Sequence, residues 1–421
     1  MRGFFGRALA AFAGQAGQAA ASVLLLVAIA RAMPPAERGE FVLLTLLPQL
    51  GVYLVTLGLP AAALYYAARR PERRRAVVGL SLAGAVAAGV ILTAIAPAIF
   101  ELTDVDRPSL WVLLAGNTTV SWVIFLSWVA YGMSRYYVGG GLRTVPVMFA
   151  AAAVAGAQAT GSVTTHEAYV WWIVPHVVLA AVSLGYVLRR YGIEWPTRPE
   201  LREWGWYSVR GSATQVTNLV ALRFDQWLLG ALGTTAGVGV YSIAAALSET
   251  VLLVGRAVGV VVLVDTASDR DRRAIRKQIG VSVGIACVAA GVLAAIVAPL
   301  VNGAVGSSYE DAATLTQILL LGTPGMIVAR LVSNALAGAG RPGRGSLYNM
   351  VAVVVTVSFD FLLIPSHGAN GAAWASVIGY TSAGLVALPE IIRSPARDSV
   401  SADAPPSDSA ENPTRSSERA S

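Results

Sequence analysis

Apolar segments of about twenty residues, long enough to cross a bilayer as a helix, recur along the chain from residue 8 to residue 392. Twelve are readable, at 8–32, 41–67, 76–100, 108–133, 143–163, 168–189, 203–232, 236–263, 277–301, 312–337, 345–365 and 370–392. In hydrocarbon the backbone N–H and C=O groups have to be satisfied within the segment or in a closed barrel. The period-two alternation of a barrel is absent, so helices are expected. Composition agrees: 55% of the 421 residues are hydrophobic and 13% are charged, against about 25% charged in soluble domains. The sequence therefore reads as an all-α integral membrane protein with twelve transmembrane helices. The stretch up to Gln18 runs directly into a longer apolar run and reads as the start of the first membrane helix, not as a cleaved signal peptide.

In such a chain the net charge of +7 reports topology before it reports any affinity for nucleic acid. One set of loops holds Arg69, Arg70 and Arg73 to Arg75, then Arg135 and Arg143, then Arg189, Arg190, Arg198 and Arg202. It continues with Arg270, Arg272, Arg273, Arg276 and Lys277, and with Arg341 and Arg344. The alternate loops hold Arg31, Arg38 and Arg107. The positive-inside rule then places the Arg-rich side and both termini in the cytoplasm. The tail from 394 to 421 is rich in Ser, Pro and charge, has no apolar period, and is expected to be disordered.

Several function classes fall away. Cys287 is the one cysteine, and His166, His176 and His367 are widely spaced, so neither a disulfide within the chain nor a metal cluster is expected. There is no phosphate-binding glycine loop, zinc-protease motif or nucleophile elbow. The expectation is a non-enzymatic protein with no cofactor.

The chain also repeats itself. A shift of 200 residues places Gln15 on Gln215, Ala36 on Ala236, Gly39 on Gly239, Phe41 on Tyr241 and Leu47 on Leu247. After a two-residue slip, Ala96-Pro97 meets Ala298-Pro299. Each half then holds six helices, and since six is even both halves enter from the same side. The expected domains are a first lobe, 1–195, and a second lobe, 196–393, followed by the tail. Two parallel six-helix bundles imply a central cleft between them, worked by rocking of one lobe on the other.

Charge within hydrocarbon is costly, about 2.5–3.5 kcal/mol per residue on insertion scales, and the deep charges expected here all fall in the second half. Arg210, Arg256 and Arg330 lie at a similar depth near the cytoplasmic ends of their helices, counted at about 1.5 Å per residue. A ring of guanidinium groups suits a phosphate or diphosphate, which arginine grips in bidentate fashion. The alternative is that each snorkels to the interface or pairs within its lobe. Arg223 and Asp225 are two apart and so point in different directions on a helix. Asp225 or Glu249 could serve as a coupling site for a proton or sodium ion. Alternatively Arg223 pairs with Asp360, and Glu249 with a nearby arginine, as structural bridges.

The segments Ala30-Arg31-Ala32, Gly39-x-Phe41 and Leu57-Gly58-Leu59-Pro60-Ala61-Ala62 resemble the first hairpin of polysaccharide-type (Wzx-like) flippases. These belong to the multidrug/oligosaccharidyl-lipid/polysaccharide exporter (MOP) superfamily. Arg223-Phe224-Asp225, Gly237-x-Gly239-x-Tyr241-x-x-Ala244, Ala337-Gly338-x-Gly340-Arg341 and Phe361-Leu362-Leu363-Ile364-Pro365 are similar to later helices of the same family. The resemblance implies movement of a lipid-linked oligosaccharide, carried on undecaprenyl diphosphate, from the cytoplasmic to the outer leaflet by alternating access. It implies cavity arginines that meet the diphosphate, here Arg210, Arg223, Arg256 and Arg330, with Arg31 at the outer end of the first helix. The expected partners are the bilayer, the lipid-linked oligosaccharide, and the glycan polymerase and glycosyltransferases of an O-antigen or other surface-polysaccharide pathway. A multidrug cation antiporter of the same superfamily is the alternative function. A membrane glycan polymerase or ligase would want a long outer loop, which the chain lacks.

Overall fold

The computed structural model describes residues 2–159, 161–267, 272–339 and 341–392; within the helices some side chains lie outside the described residues, among them those of 2–16, 210–216, 218, 219, 254, 256, 257, 260, 261, 263–265, 267, 272–274, 338, 342, 343, 391 and 392. The described elements are helical: α1 (Arg2–Ala32), α2 (Pro35–Val55), α3 (Leu59–Arg69), α4 (Arg74–Thr103), α5 (Leu110–Gly132), α6 (Tyr136–Gln158), α7 (Thr165–Arg190), α8 (Arg198–Leu232), α9 (Thr235–Ala267), α10 (Arg272–Ala304), α11 (Asp311–Gly338) and α12 (Pro342–Ile392). Among the described residues nine helices are long and apolar enough to span a membrane, the last being the whole stretch Arg344–Glu390. The protein is a multi-pass membrane protein.

Three of the expected spans take a different form. The span expected at 41–67 is two helices, because Leu57 (φ 49°) and Gly58 (φ 71°) turn the chain through the left-handed region before Pro60 restarts it. The spans expected at 345–365 and 370–392 are the two arms of α12, which bends at Gly368 (φ 53°, ψ −131°). Only a residue without Cβ enters that conformation readily, so one glycine replaces the expected loop. Pro48, Pro146, Pro175 and Pro324 lie inside α2, α6, α7 and α11, where bends are expected. The start of α7 is fixed by a reciprocal cap: Glu167 N–H donates to Thr164 Oγ1 at 3.3 Å, and Thr164 N–H donates to Glu167 Oε2 at 3.0 Å.

Packing repeats with the sequence. In the first half α1 lies on α6, α3 on α5 and α4 on α5; in the second, α8 lies on α12, α9 on α11 and α10 on α11. The halves meet chiefly through α2 with α9 and through α3 with α8.

At the first of these junctions a single turn of each helix is in backbone contact. A Cβ on Gly39 would stand 1.8 Å from the carbonyl oxygen of Thr235, and a Cβ on Gly239 would stand 2.0 Å from that of Pro35. Residues 35 and 235, like 39 and 239, are the pairs related by the 200-residue repeat, so the contact is nearly two-fold symmetric. The second junction lies at the Arg-rich end. Tyr65 stacks on Tyr207 with centroids 4.3 Å apart, and Ser208 Oγ donates to Leu57 O at 2.7 Å. Arg70 forks onto Glu203 at 2.8 and 3.2 Å. Arg73 grips Glu200 at 2.6 and 2.7 Å and reaches Glu194 at 2.5 Å. The hydrogen bonds from Arg73 hold the Glu200 carboxyl down to about 2.

Replacing Gly39 or Gly239 with Val should force the turns apart and lower the melting temperature of the purified protein by several degrees, in line with a cost of about 1–3 kcal/mol for overpacking. Gly141→Ala, where the added methyl meets nothing within 4 Å, should leave it unchanged or slightly raised.

Candidate functional site

The expected pairing of Arg223 with Asp360 does not form. Arg223 on α8 instead meets Glu249 on α9: Nη1 donates to Oε1 in a very short contact and Nη2 to Oε2 at 3.1 Å. The fork occupies both oxygens of the carboxylate, the geometry arginine favours. Both side chains are mostly buried, at 30% and 18% exposure. Glu249 paired with a nearby arginine is thus found, with Arg223 as the arginine. The reason is reach. Arg223 faces α9, whereas Asp360 is enclosed on the first arm of α12.

Asp225, two residues on, faces a different set of groups, as the spacing requires. It is 3% exposed and accepts from Gln226 N at 2.8 Å, from the hydroxyl of Tyr241, and from Ser376 Oγ at 3.4 Å. Tyr241 is the repeat mate of Phe41, and both are buried. The extra hydroxyl appears where the second half has an acid to serve. Tyr380 stands beside this group and donates to the carbonyl of Ala221 at 3.2 Å. A narrow cavity of about 10 Å³ runs between Asp225, Glu249, Tyr241, Ser248, Thr323 and Tyr380. That is about the space of one water.

Asp360 is fully buried, and neither of its carboxyl oxygens has a hydrogen-bond partner; Thr356 Oγ1, one helical turn away, is also unpartnered. No group of three or more His, Cys, Asp or Glu able to hold a metal occurs among the described residues.

Arg210 and Arg256 lie on α8 and α9, but their side chains fall outside the described residues. Arg330 is half-buried on α11 and has partners. Arg31 is exposed and ties α1 to the end of α10, with Nε donating to Ala304 O at 2.6 Å and Nη2 to Gly303 O at 3.1 Å. Arg38, which the sequence places in a loop, lies in the first turn of α2 and is 3% exposed. Tyr241, Ser376, Tyr380 and Arg38 escaped the sequence reading. Arg38 could have been found from its place beside the repeated Gly39.

The fold resembles that of solved MATE family transporters and of a lipid II flippase. An inward-facing multidrug-resistance MATE family transporter of the MOP superfamily superposes with a TM-score of 0.65 at 14% identity, covering 90% of this chain and 96% of the other. Lipid II flippase MurJ in an inward closed conformation superposes with a TM-score of 0.67 at 12% identity, covering 92% and 87%. An outward-facing MATE transporter gives 0.58 at 16% identity, covering 91% and 93%. No protein-family model matches the chain, and no curated protein matches it.

Arg223→Ala leaves Glu249 without its partner and should destabilise by about 3–5 kcal/mol, while Arg223→Met with Glu249→Leu should recover most of that loss. Asp360→Asn, which breaks no hydrogen bond, should leave thermal stability at or above the parent. Thermal unfolding in one detergent checks all three.

Proposed function

We propose that the protein is a flippase that moves an undecaprenyl-diphosphate-linked oligosaccharide from the cytoplasmic to the outer leaflet of a bacterial plasma membrane, for surface polysaccharide synthesis. On this reading the lobes are 1–195 and 196–393, both termini are cytoplasmic, and the tail 394–421 follows the last helix. The observation that supports the reading is the uneven charge of the helices. Arg210, Arg223, Asp225, Glu249, Arg256, Arg330 and Asp360 all lie well inside helices of the second half, whereas the buried charge of the first half, Arg38, lies in the first turn of α2. The middles of α1, α4 and α5 carry no ionisable residue, α7 carries only His176 at its middle, and the one arginine set into α6 is Arg143, seven residues past its start. A diphosphate headgroup needs a cationic wall, and Arg210, Arg256 and Arg330 supply it near the Arg-rich end. Arg223, neutralised by Glu249, serves better as scaffold than as ligand, and Arg31 as a tie at the far end.

Alternating access fits the two junctions. The α2–α9 contact closes one end, the α3–α8 contact hinges the other, and the better superposition is on an inward-facing MATE transporter than on an outward-facing one. Substrate would then enter from the Arg-rich side. The buried carboxyls of Asp225 and Asp360 are the groups on this path that a coupling proton or small cation could occupy. Ion coupling also keeps the second reading in view, a multidrug cation antiporter of the same fold.

Arg210→Ala combined with Arg256→Ala should abolish display of the surface glycan in a strain that depends on this protein, with the variant still present at normal level in the membrane. Full display by the double variant would remove the diphosphate assignment. Drug resistance conferred by the parent, without glycan display, would favour the antiporter.

A further inference from the structure

The unexplained charge of the structure is Arg38. It sits beside the Gly39–Gly239 crossing, and its Nη1 reaches across to the carbonyl oxygen of Gly239 and to Ser242 Oγ on α9 in very short contacts. Its guanidinium carbon lies 5.8 Å from the centre of the Tyr309 ring, and Tyr309 in turn donates to Met33 O at 2.8 Å. Among the described residues no carboxylate lies within ion-pair distance of Arg38, and its Nε has no hydrogen-bond partner. It is thus a buried cation with only neutral acceptors, and its contacts to Gly239, Ser242 and Tyr309 all span the two halves.

Two opposing terms set what such a residue does. Charge-assisted hydrogen bonds and the contact with the aromatic face hold the closed end. Burying a cation without an anionic partner opposes them. The closed end is therefore held at the expense of an unpaired buried charge. When the halves part, Arg38 regains solvent and can take a full anionic partner, which the closed state denies it.

We propose that Arg38 is an anion-released latch: it holds α2 to α9 when this end is closed and, once free, binds the phosphate groups of the departing cargo. The latch rests on the flippase reading for the identity of the cargo, but its mechanics need only an anion. An anion binding Arg38 in the open state alone shifts the equilibrium toward opening by its differential affinity. Ser242 tunes the latch, since it supplies one of the two acceptors. Arg38 would be the last cationic contact on the way out, as Arg210, Arg256 and Arg330 are the first on the way in.

The test reads opening directly. In the full chain carrying Cys287→Ser and Ala245→Cys, position 245 is buried beneath the crossing, and an impermeant maleimide is applied to intact cells. Inorganic pyrophosphate added outside should raise the labelling rate by about fivefold or more, the lower range of allosteric coupling. Arg38→Met should abolish that response, Arg38→Lys should retain it in part, and Ser242→Ala should shift it to lower pyrophosphate. An absent response in the parent, an equal response in Arg38→Met, or an unshifted one in Ser242→Ala would overturn the latch. Asp106→Cys, on an exposed loop at the same end, reports sidedness separately. If it is not labelled from outside, the topology reading fails, and the same variants are scored in inverted vesicles. Glycan display plays no part in the assay, so loss of the cargo assignment leaves the latch scored on its own.

Discussion

The contact between one turn of α2 and one turn of α9 is the constraint on which the rest of the molecule depends. Two backbones approach until Cβ atoms have no room, so glycine is required at 39 and at 239. Such closeness aligns the halves about their pseudo-two-fold axis with little tolerance. It also brings a carbonyl oxygen of α9 within reach of a guanidinium on α2. The same closeness that fixes the geometry therefore places Arg38 out of water. Everything farther from the crossing, including the hinge of Tyr65 on Tyr207 and the Arg73–Glu200 clamp, is set relative to it.

The second half carries the chemistry because duplication left two copies of one scaffold free to diverge. Phe41 and Tyr241 fill matching buried positions, and the hydroxyl of the second serves Asp225. Glu249 and Arg223 neutralise each other across α8 and α9, so a polar interior can exist beside hydrocarbon without unpaired charge. Asp360 is the exception, a carboxyl enclosed with no donor. A rigid fork, a served acid and an orphan acid are three different solutions to one cost, that of placing charge in a dry place. Only the last two leave a group whose state can change with an ion.

The two ends of the molecule are closed by different physics. At the Arg-rich end the junction is made of paired ions and stacked rings near the interface, where charge is tolerated. At the other end it is made of backbone contact, one buried cation and a tie from Arg31 to the end of α10. The first suits a hinge that stays engaged, because its charges are satisfied in either arrangement. The second suits a closure that gives way, because the charge within it gains a partner on opening.

The sequence by itself determined the helical class and where most of the long apolar helices lie. These depend on hydrophobicity and on letters spaced along one chain, which need no partner to be read. The break at Leu57–Gly58 and the bend at Gly368 were written as Gly and Pro signals, but whether such a signal ends a helix or only bends it depends on neighbouring backbones. The candidate acids and bases were legible as charges out of place, while their pairing was not. Arg223 chose Glu249 over Asp360 because α8 faces α9 along that stretch, a fact of tertiary packing. Arg38 was legible only as a loop arginine. Its burial follows from the crossing beside it, and no property of residues 35 to 39 taken alone says that the turn of residues 235 to 239 will lie against them.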